Sequence, residues 1–283
     1  MRPSFKNIVT NRSGSAWFSL LKYLLSVVLV VYLLRLFSPD FTAICDYDYV
    51  VLAKLLLVSV LLQLVIAVRL YLMVLSGAGV HPPRLDCVVA HSKATLLNYL
   101  PLPIGVGYRF TYLVKFQSMK AATWAFFNVT YLWVAFSVVV FVVVMIWTIN
   151  TMIALIATLG CLIYLLLNRR VAFGVFVSVL GELILFVGRV SLIVGGMFNF
   201  EHSEVGFLLY YSNMISSLIG ILPGGIGLSE GLAVFTGKGL DLDASLILGV
   251  SIVSRLCDVL ASLLILFIPY LKQFLSKFYG GLK

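Results

Sequence analysis

Strongly apolar runs of about twenty residues follow one another along this chain, beginning with Trp17 to Phe37, and a helix of that length matches the roughly 30 Å hydrocarbon core of a bilayer. Runs of this kind belong in lipid. They leave no stretch above about 12 residues that could fold as a soluble domain, so a fused catalytic head is excluded and 1–283 reads as a single transmembrane domain. The balance of residue types agrees, with 62% hydrophobic and only 11% charged residues and a mean hydropathy of +1.11, against roughly 45–50% and 25% in a soluble domain.

Charge orders the runs across the membrane. The first follows a basic arm with Arg2, Lys6 and Arg12; its length and the lack of a small-residue cleavage site make it an anchor rather than a signal peptide. An acidic loop with Asp40, Asp46 and Asp48 leads to a second span, Tyr49 to Ser76. Positive-inside places the N-terminus in the cytoplasm and that loop outside. Ala121 to Thr148 crosses, Asn150 and Thr151 turn, and Met152 to Leu167 returns to Arg169 and Arg170. Val171 to Gly195 leads out to Asn199 to Glu204, and Ala244 to Tyr270 comes back to Lys272, Lys277 and Lys283, so both termini are expected inside. The net charge of +9 serves this orientation; its basic residues sit at span ends and point to no nucleic acid.

Two segments break the alternation. Arg84 to Lys120 is basic at both ends and carries Leu100-Pro101-Leu102-Pro103-Ile104-Gly105-Val106-Gly107 in its middle. Glu204 to Asp243 is acidic at both ends and carries Leu222-Pro223-Gly224-Gly225-Ile226-Gly227. Proline and glycine centres break helices, so each segment is expected to run helix, turn, helix, the first entering from the cytoplasm and the second from outside. Irregular backbone inside a bilayer is tolerated where it lines a cavity or is buried in protein. The expected fold is therefore all-α and polytopic, with about six full spans and two broken re-entrant hairpins, 84–120 and 204–243. These fall in two halves, 17–120 and 171–270, of an inverted repeat like those of transporters.

Each break is followed by a half-helix with a charge near its start, Arg109 and Glu230. Free amides at such a start attract phosphate, and the guanidinium fork of Arg109 suits a phosphate held by two bonds. Lys93, Tyr108, Gly105 and Gly107 join Arg109 as candidate lining of that pocket, although Arg109 also reads as a cytoplasmic-side anchor. Pro223, Gly224, Gly225 and Gly227 are assigned to the second turn. Glu230 either complements the helix dipole or serves as a counter-charge or proton carrier, with Arg255 as a partner. Arg69 either snorkels or reaches the pocket. The spacings of Glu182 with Arg189 and of Arg255 with Asp258 place each pair on one helix face, where its members can neutralise one another.

Other chemistry is thinly represented. Cys45, Cys87, Cys161 and Cys257 lie far apart with no CxxC pair, and His81, His91 and His202 are scattered, so neither a metal site nor a disulfide framework is expected. Gly105-Val106-Gly107 and Thr236-Gly237-Lys238-Gly239 are incomplete as nucleotide loops. No cofactor and no enzymatic motif is read.

The run Leu222-Pro223-Gly224-Gly225-Ile226-Gly227-Leu228-Ser229-Glu230 resembles the signature of the lysylphosphatidylglycerol synthase transmembrane region, a flippase-like family. Asn98 to Arg109 resembles that family's first signature, with Pro101-Leu102-Pro103 and Gly105-Val106-Gly107-Tyr108 departing from its usual Pro-Gly and Gly-Glu, and Arg255 resembles an arginine of its last helix. The resemblance covers nearly the whole chain. It implies an inner (plasma) membrane protein that moves a phosphate-bearing lipid, aminoacylated or polyprenyl-linked, between leaflets, without the soluble domain that makes lysyl-lipid. Its expected partners are the lipid, a second copy of the chain or an envelope-biosynthesis component. The alternatives are an integral-membrane enzyme and an accessory subunit of envelope lipid or polysaccharide synthesis.

Overall fold

The computed structural model describes residues 49–99, 104–149, 169–197, 204–219 and 228–280, and its regular elements are all helices. In chain order these are α1 (Tyr49–Ala78), α2 (Arg84–Asn98), α3 (Ile104–Val114), α4 (Met119–Ile149), α5 (Arg169–Met197), α6 (Glu204–Ile219), α7 (Leu228–Lys238) and α8 (Ala244–Gly280). They belong to one unit, Tyr49–Lys283. The expected span 17–37, the turn at Asn150 and Thr151, the span 152–167, the breaks at 100–103 and 222–227, and both termini lie outside the described residues.

Four helices are long and apolar enough to cross a membrane, over Tyr49–Ala78, Met119–Val140, Val171–Gly196 and Ala244–Ile268. They coincide with four of the six spans read from the sequence. At 1.5 Å per residue the 30 residues of α1 extend about 45 Å, ample for a hydrocarbon core of about 30 Å. The valine-rich stretch of α4, Val138-Val139-Val140, is helical although β-branched residues favour strands. An isolated strand in lipid would leave its peptide groups unpaired, whereas a helix pairs them within itself.

The other four helices are half-length. With 15, 11, 16 and 11 residues, α2, α3, α6 and α7 reach only about 16 to 24 Å. None of them can cross alone. They form two packed pairs, α2 with α3 and α6 with α7, flanking the two breaks that the sequence marks. Gly105 allows the first pair to close, because a Cβ there would collide with the Ala94 carbonyl and the Asn98 carboxamide. Gly79, with φ +63°, ends α1 in the left-handed conformation that glycine adopts without penalty, its amide donating to the Leu75 carbonyl at 3.0 Å. At the start of α8 the Asp243 carboxylate accepts from the Ser245 amide at 3.1 Å and from the Ser245 hydroxyl. These bonds hold the Asp243 carboxyl below the usual carboxylate range.

Two apolar clusters form the interior, and α1 and α5 contribute to both. One joins Leu55 and Leu62 of α1 and Val190 and Ile193 of α5 to Leu209 and Tyr210 of α6 and Ile247 and Val250 of α8. The other joins Leu70 and Val74 of α1 and Val175 and Val179 of α5 to Ala90 of α2, Leu113 of α3 and Val129 and Phe136 of α4. Outward faces are apolar too, including Leu57, Leu61 and Val68 on α1, Phe173 and Ile184 on α5, and Leu263, Leu264 and Phe267 on α8. In water such a surface would drive aggregation. Against acyl chains it is the natural exterior.

Candidate functional site

A cavity of about 880 Å³ lies where the two clusters adjoin, its wall drawn from α1, α2, α3, α4, α5, α6 and α8. Apolar residues of both clusters line it, among them Leu62, Leu70, Phe186 and Leu209. Among them stand groups that are expensive to place in hydrocarbon: Arg69, Arg109, Glu182, Arg255 and Asp258. Each charge held away from water needs an opposite partner with good geometry to offset its lost hydration.

Three ion pairs supply most of that compensation, and each joins two helices. Arg69 of α1 meets Glu182 of α5 at 3.1 Å. The Trp133 indole of α4 donates to the same carboxylate at 3.1 Å, and its ring lies 4.6 Å from the Arg69 guanidinium, a cation–π contact. Arg189 of α5, fully buried, grips Asp258 of α8 at 2.6 Å and donates to the Ser254 hydroxyl at 2.6 Å and the Ser59 hydroxyl at 3.3 Å. Gln63 of α1 donates to the same Asp258 at 3.2 Å. Arg255 of α8 meets Glu230 of α7 at 2.6 Å, while Ser251 and Ser229 each donate to the Glu230 carboxylate at 2.9 Å.

These partners differ from those that helical spacing suggests. Glu182 does not pair with Arg189, nor Arg255 with Asp258; among the described residues each ion pair reaches across to a neighbouring helix. Two positions seven apart are separated by about 10.5 Å along a helix, farther than a carboxylate and a guanidinium prefer. Arg255 and Asp258 are close enough to meet, but each has a better-placed partner on another helix.

Arg109 is left over. It lines the cavity, its Nε is buried without a hydrogen-bond partner, and among the described residues no carboxylate forms an ion pair with it. Arg69 and Glu182 line the same cavity, and they already hold each other. His91 of α2, 3% exposed, lies in the same wall, with its Nε2 at 3.4 Å from the Thr95 hydroxyl. That hydroxyl donates to Gln63 at 3.3 Å.

The candidate residues read from the sequence divide accordingly. Arg109, Gly107 and Arg255 line the cavity. Glu230 stands behind Arg255 as its counter-ion. Gly105 is buried in the contact between α2 and α3. Tyr108 packs against the second apolar cluster, and Lys93 is exposed on α2, so neither contributes to the cavity wall. Pro223, Gly224, Gly225 and Gly227 lie outside the described residues. Gln63, His91, Thr95 and Trp133 line the cavity without having been singled out beforehand. For Gln63 a signal exists: with Ser59 it puts two polar groups four residues apart on one face of an apolar run. Trp133, one aromatic among many, carries none.

No family model, curated protein or solved structure matches the chain. The cavity and its charges therefore carry the functional argument.

Proposed function

We propose that this chain is a multi-pass protein of the inner (plasma) membrane that moves an anionic lipid between leaflets, holding the lipid's phosphate at Arg109. One observation carries the reading: an arginine, charged at any physiological pH, lines a cavity in which, among the described residues, the other arginines are matched by carboxylates and it is not. Arg109 is half-buried, and partial burial of a cation without a counter-charge carries a desolvation cost. An anion entering the cavity offsets that cost, and a phosphodiester offers both a single negative charge and the two oxygens that a guanidinium fork engages. The paired half-length helices, the apolar exterior and the resemblance to the lysylphosphatidylglycerol synthase transmembrane region support the same reading. The enzymatic alternative has less behind it, since Glu182, Glu230 and Asp258 are each tied to an arginine and so poorly placed to act as a base. An accessory role would not call for a charged cavity.

The test is transbilayer movement of fluorescent phosphatidylglycerol in liposomes holding the purified protein, read by dithionite quenching. Arg109→Ala is expected to slow movement by roughly 10-fold to 150-fold, the range that corresponds to losing about 1.5–3 kcal/mol of charge-assisted hydrogen bonding. Arg109→Lys, which keeps the charge but loses the fork, should fall between the two. Wild-type movement by Arg109→Ala would reject the assignment.

A further inference from the structure

We infer that the cavity opens sideways between α3 and α4, and that an acyl chain leaves through this opening while the headgroup remains at Arg109; the inference rests on the anionic-lipid reading above. Exposure along the cavity wall locates this opening. Of its described residues, four are exposed: Val106 and Gly107 on α3, and Phe127 and Tyr131 on α4. A residue that lines a cavity and also meets the exterior marks the mouth of that cavity. Val106 is 44% exposed, Phe127 66% and Tyr131 68%. The rest of the wall is buried or half-buried.

The position of the mouth decides what passes through it. Phe127 and Tyr131 fall within Met119–Val140, the part of α4 apolar enough to cross a membrane, and four residues apart they share one helix face. The opening therefore faces acyl chains rather than water. Its rim is apolar, and Arg109 lies on α3 within a turn of Val106 and Gly107. An occupant must present an anion to the guanidinium and hydrocarbon to the rim. Free phosphate or a soluble phosphate ester satisfies the first requirement only; a phosphodiester lipid satisfies both.

Gly107 keeps the mouth clear. A Cβ built there meets no atom within 4 Å, so a side chain at this position can project from the helix into the opening. Gly188 on α5 offers the matching control: it too has open space around a built Cβ, it is exposed, and it does not line the cavity.

The experiment compares Gly107→Trp with Gly188→Trp, both reconstituted after confirming a single monodisperse species in detergent. Gly107→Trp is expected to slow phosphatidylglycerol movement at least about 10-fold, while Gly188→Trp moves lipid at the wild-type rate. In parallel, phosphatidylglycerol with a diazirine in one acyl chain is photo-crosslinked to wild-type protein and to Arg109→Ala, and the adducts are mapped by mass spectrometry. Adducts at Val106, Phe127 or Tyr131 that disappear in Arg109→Ala support the portal. Full lipid movement by Gly107→Trp, or Arg109-dependent adducts confined to α6 and α8, overturns the portal while leaving the Arg109 assignment standing. Wild-type movement by Arg109→Ala fails the underlying reading instead. Transport of soluble glycerol phosphate that Gly107→Trp leaves unchanged assigns the site to a free anion and also overturns the portal.

Discussion

At the scale of single residues, the cavity wall and the groups behind it are a matching problem in which, among the described residues, four guanidiniums meet three carboxylates. The sequence shows the charges but not the matching, because spacing along one helix says nothing of which helix stands opposite. Arg189 illustrates the stakes. It is fully buried and depends on Asp258 for its counter-charge, so Asp258→Asn is expected to lower stability by about 3–5 kcal/mol, the cost of stranding one member of a buried pair. Denaturant titration in detergent checks this. Arg189→Met combined with Asp258→Leu removes both charges and should recover most of the loss; a double variant less stable than Asp258→Asn would show that the pair's hydrogen bonds to Ser59, Ser254 and Gln63 matter more than its charges.

At the scale of helices, apolar length and broken length are both written in the chain. Runs such as Tyr49 to Ser76 are legible because a bilayer demands a minimum number of apolar residues, and the helices α2, α3, α6 and α7 because proline and glycine stop what comes before them. Less legible is what a glycine does once its helix has formed. Gly105 and Gly107 stand two apart, yet one is pressed against α2 and the other faces open space. Gly105→Ala should destabilise the protein by about 1–3 kcal/mol, the usual cost of overpacking, because the Ala94 carbonyl belongs to a helix and cannot move aside. Gly107→Ala should raise stability by about 0.5–1 kcal/mol, the usual gain from replacing a helical glycine. Thermal unfolding of the two variants checks both signs, and equal effects would contradict the packing of α2 against α3.

For the whole molecule, orientation is the property most open to direct measurement. Basic residues flank the segment of α2 and α3, at Arg84 and Lys120, and acidic residues flank that of α6 and α7, at Glu204 and Asp243. Reporter fusions at Lys120 and Arg170 are expected on the cytoplasmic side and a fusion at Asp241 outside. A shared side for Lys120 and Asp241 would rule out the inverted repeat expected from the sequence. The three ion pairs also set an order of biogenesis. α8 carries the counter-charge for two earlier helices, Asp258 for Arg189 of α5 and Arg255 for Glu230 of α7. Until α8 leaves the translocon, Arg189 is expected to wait in the bilayer without Asp258, at a cost of about 2.5–3.5 kcal/mol on insertion scales. The nascent chain is then expected to stay loosely assembled until its last helix arrives.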